Sequence, residues 1–177
     1  MKKIVITGGP CSGKTTIIEE LNKKGFSVLR ETAKEIVAAR RHIPLTKEES
    51  QIRQDLIFNE QFAKEQNAER ADCDILFLDR GLIDGLGYSL LYSGEESIEK
   101  YLPAVKAKKY DFIFLMKLLP FDSGGFRPRE ENEEEAKKIQ DSILELYKRL
   151  GYNPLFVPRM PVQERVEFIL KVVLGED

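Results

Sequence analysis

The sequence predicts an α/β fold in which a five-stranded parallel sheet lies between helices as a three-layer sandwich. Short apolar runs alternate with longer amphipathic stretches, the pattern of strands joined by crossover helices. The runs are apolar on nearly every residue, as strands covered on both faces require. The length of 177 residues suits one domain, 1–177, with one sizeable core.

Ile4-Val5-Ile6 reads as the first strand and ends at Thr7. Thr15 to Lys24 reads as a helix, with Ile17, Ile18 and Leu21 on one face and Gly25 as its stop. Ser27-Val28-Leu29 is a short second strand, and Thr32 to Arg41 carries Ala33, Ile36, Val37 and Arg40 at helical spacing. Thr46-Lys47-Glu48-Glu49 has the form of a capping box and opens a polar helix to about Arg70, whose apolar members include Ile52, Leu56, Phe58, Phe62 and Ala63. Ile75 to Leu78 is a buried strand that ends in Asp79-Arg80-Gly81; Asp111 to Leu115 and Leu155 to Val157 complete the sheet. A helix from about Asn132 to Leu150 turns Ala136, Ile139, Ile143, Tyr147 and Leu150 inward and stops at Gly151. The last, from about Pro161 to Leu174, turns Val162, Val166, Ile169 and Val173 inward. Leu119 to Glu131, rich in Gly, Pro and Arg, is expected to be a mobile, lid-like loop.

Hydrophobic residues make up 42% and charged residues 33%, so the chain is globular, and a formal charge of −2 argues against a nucleic-acid binder and against stable membrane association. Two cysteines, Cys11 and Cys73, and one histidine, His42, give neither a zinc site nor a disulfide framework and suit a reducing cytoplasm. The apolar run of MKKIVITGGP is too short for a signal peptide, and the expected location is cytoplasmic. Arg40-Arg41-His42 and Lys106, Lys108 and Lys109 read as solvated helix ends.

Gly8-Gly9-Pro10-Cys11-Ser12-Gly13-Lys14-Thr15 matches G-x-x-x-x-G-K-[ST] in full, with a strand before it and a helix after it, and so reads as a P-loop of the NTPase type. Gly8 and Gly13 let the backbone curl with its N–H groups inward, Lys14 is placed to reach the β- and γ-phosphates, and Thr15 is placed to ligate Mg²⁺. Together with Thr16 at the positive end of the helix, these residues are expected to bind ATP or GTP. Cys11 reads as a small filler within the loop.

Asp79 directly follows the third strand, where such proteins hold Mg²⁺ or its water, and Arg80 beside it is placed to reach substrate or the transferring phosphate. The plainer reading of Asp79 is a strand-end ion pair. Glu31, just after the second strand, suits a base that takes a proton from an acceptor hydroxyl; its plainer reading is a helix-start acid favoured by the dipole. Arg127 and Arg129 in the Gly/Pro loop are candidates to close over a triphosphate, with no choice between them. The Asn-Lys-x-Asp motif of regulatory GTPases is absent, and Asp79-Arg80 stands where motor ATPases usually carry an acidic pair.

The segments IVITGGPCSGKTT, Glu31-Thr32-Ala33-Lys34, FLDRGLIDGLGY from Phe77 to Tyr88, and Gly151 to Ile169 resemble the NadR-type P-loop ATPase domain family. That family includes nicotinamide-riboside-kinase domains and eukaryotic GTP-binding proteins linked to receptor trafficking and phosphoinositides. The resemblance covers nearly the whole chain and implies a sheet of the nucleoside/nucleotide-kinase type. It also implies that Gln61, Asp84 and Tyr88 line the acceptor side, that Arg129 is the family arginine seven residues before Ala136, and that Val157 to Pro161 lies against the base. Two readings follow. One is a phosphotransferase with Mg-ATP as donor and an unidentified small hydroxylated acceptor such as a nucleoside. The other is a nucleotide-dependent switch that binds GTP or a phosphoinositide head group.

Overall fold

The computed structural model describes residues 1–33, 36, 46–70, 72–120 and 132–175. In chain order these give β1 (Lys2–Thr7), α1 (Lys14–Lys23), β2 (Ser27–Leu29), α2 (Lys47–Ala68), β3 (Ile75–Asp79), α3 (Leu82–Ser93), two short 3-10 turns, α4 (Leu102–Lys106), β4 (Phe112–Met116), α5 (Glu133–Arg149), β5 (Leu155–Val157) and α6 (Val162–Leu174). Thr32, Ala33 and Ile36 are helical; the rest of the 32–41 expectation lies outside the described residues, as does 121–131 with Arg127 and Arg129.

The five strands run parallel in the order β2-β3-β1-β4-β5, with Val5 paired to Leu78 on one side and Ile113 on the other. Alternate residues feed two cores. Val5, Leu76, Leu78 and Ile113 pack with Phe58 of α2, Ile83 and Leu86 of α3, and Ile139 and Ile143 of α5. Ile4, Ile6, Phe77 and Phe114 pack with Ile17, Ile18 and Leu21 of α1 and with Val166, Ile169 and Val173 of α6. This explains the continuous apolar runs, since both faces of every central strand are covered. Because all strands point one way, Thr7, Leu29, Asp79, Met116 and Val157 end on one edge, where an open α/β sheet places its ligands.

The structure corrects the sequence reading at one helix and adds detail at others. Helix α3 has no counterpart there, because LIDGLGYSLLYS is apolar on almost every face and contains two glycines, so it shows no amphipathic contrast. Ile52 and Leu56 are 57% and 52% exposed, and the inward face of α2 is built instead on Phe58 and the polar Gln61 and Glu65. Leu150 and Val162 face inward as expected, half-buried and packed against the two cores. The Thr46 capping box is present, with Glu49 N–H donating to Thr46 Oγ1 at 3.2 Å and Thr46 N–H to Glu49 Oε2 at 2.9 Å. Among the described residues no helix is long and apolar enough to cross a membrane.

Helices α3 and α5 approach closely at Gly87, where a Cβ would lie 2.7 Å from Ile143 Cγ1 and 3.0 Å from Ile143 Cα. Backbone cannot yield as a flexible side chain can. Gly87→Ala is therefore expected to destabilise the fold by about 1–3 kcal/mol in urea unfolding; a loss below about 0.5 kcal/mol, the range of an innocuous surface change, contradicts this packing.

Candidate active site

The loop between β1 and α1 turns on Gly13, whose φ of 81° is left-handed and whose Cβ, were there one, would meet Arg165 Nη1 at 2.9 Å. Cys11 also has a positive φ, 61°, and its carbonyl accepts the Leu119 N–H at 3.2 Å. Lys14 is 6% exposed and spans the loop, its Nζ donating to Gly8 O at 2.9 Å, Gly9 O at 2.8 Å and Ser12 Oγ at 3.1 Å. Burial, helped by the neighbouring Arg80 charge, brings its pKa down to about 7 against the pull of Glu31, Asp79 and Asp84. Thr15 Oγ1 donates to Asp79 Oδ2 at 3.3 Å, so the two residues expected to hold a metal do meet. Thr16 is exposed on the first turn of α1, while Gly8, Gly9 and Ser12 are buried and Pro10 is half-buried.

Arg80 follows β3 with a φ of 73°, and this turn aims its side chain back along the edge of the sheet. Nε donates to Glu31 Oε1 at 2.8 Å, Nη1 to Asp84 Oδ1 at 3.2 Å and Gly8 O at 3.3 Å, and Nη2 to the Tyr88 hydroxyl at 3.3 Å. Burial pushes the guanidinium pKa down, but Tyr88, Glu31, Asp84 and Asp79 outweigh it and hold the charge in place. Asp84 accepts Thr7 Oγ1 at 2.5 Å and Arg80 on one oxygen, and Gly81 N–H at 3.0 Å and the Tyr147 hydroxyl at 2.8 Å on the other. Its four acceptor positions are filled, so it positions neighbours rather than taking a ligand.

Gln61 is similarly occupied. Its amide donates to Glu65 Oε1 at 2.9 Å and to Arg80 O at 3.3 Å, while Oε1 accepts Thr32 Oγ1 at 2.6 Å. Burial raises the Glu65 pKa above the usual range despite its bonds from Gln61 and Tyr110. The Tyr110 hydroxyl donates to Glu65 Oε2 at 3.0 Å and accepts the Leu82 N–H at 3.0 Å, which fixes the start of α3.

Beyond Arg80 a cavity of about 430 Å³ opens between α2 and α3. Glu31, Gln61, Arg80 and Asp84 are among its lining residues, as are Arg53, Tyr88 and Tyr92. The structure thus brings together the P-loop, Glu31, Asp79 and Arg80, together with Gln61, Asp84 and Tyr88. Sequence reasoning missed Arg53 and Arg165. Arg165 is 5% exposed, donates from Nη1 to Ser12 O at 3.3 Å behind the loop, and has its pKa lowered by burial. It stands one position before the inward Val166, and helical periodicity alone gives an arginine there no special mark.

The Lys14 environment has a pH consequence. Phosphates favour the ammonium form. Below about pH 7 the empty loop already carries that form, and above it binding must take up a proton. Triphosphate affinity should fall as pH rises from 7 to 9, by up to about tenfold per unit, and titration calorimetry in buffers of different ionisation enthalpy should record proton uptake. A flat affinity over that range contradicts this.

A protein-family model described as an AAA domain matches residues 3–165. Deoxyadenosine kinase from M. mycoides, solved with products dCMP and a flexible dCDP bound, superposes with a TM-score of 0.73 at 17% identity, covering 98% of this chain and 99% of that one. NadR protein in complex with NR gives 0.74 at 18% identity, covering 96% of this chain and 49% of that one, so the chain spans about half of NadR. Thymidylate kinase from Candida albicans gives 0.62 at 14% identity, covering 98% and 91%. No curated protein matches. Identities this low speak for the fold, a P-loop α/β sheet of the nucleoside- and nucleotide-kinase type. The family match over residues 3–165 speaks for descent: the chain belongs to the AAA-domain family, with a fold like that of the NadR protein.

Proposed function

We propose that the protein is a phosphotransferase that moves the γ-phosphoryl group of ATP or GTP to a small hydroxylated metabolite such as a nucleoside. The observation that carries this is the Glu31–Arg80 pair, in contact with Gly8 of the phosphate loop and in the wall of the cavity at once. A carboxylate between a donor loop and an acceptor-sized cavity has the position a base needs. The kinase neighbours share this architecture, which supports the reading by analogy.

In this mechanism the inward loop N–H groups and the end of α1 hold the phosphates, and Lys14 turns its ammonium from the Gly8 and Gly9 carbonyls to the β- and γ-oxygens. The Thr15 hydroxyl and the Asp79 carboxylate are hard oxygen donors in contact with each other, a set that fits Mg²⁺ directly or through water. An ion held there would neutralise phosphate charge. Glu31 takes the proton of the acceptor hydroxyl as its oxygen bonds to the γ-phosphorus. The bond from that phosphorus to the β,γ-bridging oxygen breaks, and the nucleoside diphosphate leaves. Arg80 offsets the charge that develops, and Arg127 and Arg129 are sequence-based candidates for the same task. The two cysteines, too few for a disulfide framework, support a cytoplasmic setting for this chemistry.

Lys14→Ala should abolish Mg-ATP binding in calorimetry; retained tight binding contradicts the loop assignment. Glu31→Gln should keep nucleotide binding within about threefold and slow transfer by about 10²–10⁴-fold. An unchanged transfer rate removes Glu31 from the mechanism.

A further inference from the structure

We infer that the acceptor carries an oxyanion, a carboxylate or a phosphate, and that Arg53 receives it at the end of the cavity away from the phosphate loop. The inference rests on the phosphotransferase reading and narrows its substrate class.

Helix α2 turns Arg53, Gln54, Ile57, Phe58 and Gln61 into the cavity at i, i+1, i+4, i+5 and i+8, which is one helical face. Gln61 bonds to the Arg80 carbonyl at the start of α3, while Gln51 donates to the Tyr101 hydroxyl beyond the end of α3 at 3.2 Å. The two helices are therefore antiparallel, and the cavity has a reacting end at Gln61 and Arg80 and a far end at Arg53. Eight residues at 1.5 Å each separate the two ends by about 12 Å along α2.

Charge bookkeeping along the wall singles out the far end. Glu31 and Asp84 are ion-paired to Arg80. Glu135 accepts the Asn132 N–H at 3.0 Å and closes the cap of α5. Gln61 has both amide hydrogens engaged. Arg53 differs: its Nε is enclosed without a hydrogen-bond partner, and among the described residues no carboxylate pairs with it. A half-buried guanidinium without a counter-ion is unfavourable, and its planar fork matches a carboxylate or phosphate through two parallel bonds. A neutral keto edge would leave that charge uncompensated. Between the two ends the wall is largely apolar, with Ile57, Phe58, Leu82 and Leu86, and suits a carbon skeleton or ring. The structure thus describes an acceptor with a hydroxyl at one end, an apolar middle and an oxyanion at the other.

The test uses matched acceptors that share a free 5′-hydroxyl: orotidine against uridine, and adenosine 3′-monophosphate against adenosine. Transfer from γ-labelled Mg-ATP is followed for the wild type, Arg53→Gln and Arg53→Lys. In the wild type the anionic member of at least one pair should have the higher kcat/KM by about 10–100-fold, the range of a charge-assisted contact. Arg53→Gln should raise its KM by a similar factor with kcat nearly unchanged, leave the neutral member alone, and be partly rescued by Arg53→Lys. Preference within the first pair alone assigns a carboxylate, and within the second alone a phosphate. Equal or better use of both neutral members overturns the inference while leaving the kinase reading intact, and the wild-type comparison decides this even where a variant does not fold. Transfer to none of the four by protein that binds Mg-ATP counts against the kinase reading and removes the inference with it.

Discussion

The Arg80 guanidinium joins the end of β2, the phosphate loop and the first turn of α3 through Glu31, Gly8 and Asp84. Each partner is itself held. Asp84 is fixed from β1 by Thr7 and from α5 by Tyr147, and the Arg80 carbonyl receives Gln61 of α2. Buried charges of this kind are tolerated only as a set, because removing one partner leaves another uncompensated at a cost of about 3–5 kcal/mol. The positive φ of Arg80 belongs to the same arrangement: the turn is strained for a side chain, and the network holds it there.

The sheet order explains why donor and acceptor meet at this point. Strand β1 lies between β3 and β4, so the loop after β1 sits beside the end of β3, which delivers Asp79 and Arg80. Strand β2, on the far side of β3, delivers Glu31. Thr15 from α1 and Asp79 from β3 come into contact through the same adjacency. Behind the loop, Arg165 of α6 donates to the Ser12 carbonyl and helps fix the curvature of the loop.

The strands were legible because burial on both faces writes continuous apolar runs into the sequence. The phosphate loop was legible because a fixed spacing of Gly, Lys and Thr is needed to wrap an anion. Glu31, Asp79 and Arg80 could be found because each follows a strand, and strand ends converge in a parallel sheet. Helix α3 was not legible, since packing under α2 and against α5 removes the polar face that periodicity detects. Nor did Arg53 stand out on a polar helix. Its environment depends on what faces α2 across the cavity, which is set by the antiparallel packing of α3. The exposure of Ile52 and Leu56 has the same origin: α2 turns Gln61 and Glu65 inward to complete the polar network at the start of α3.

If this network makes one site of the loop and the cavity, its chemistry is group transfer and not hydrolysis alone. The most direct measurement is a mass-spectrometric screen of a pooled metabolite library with Mg-ATP or Mg-GTP, in parallel for the wild type and Arg80→Met. The account predicts that a hydroxylated member gains one phosphoryl group with the wild type and that the product is lost with the variant. Nucleotide binding or slow hydrolysis with no phosphorylated member, from a library rich in nucleosides and hydroxy acids, would contradict it.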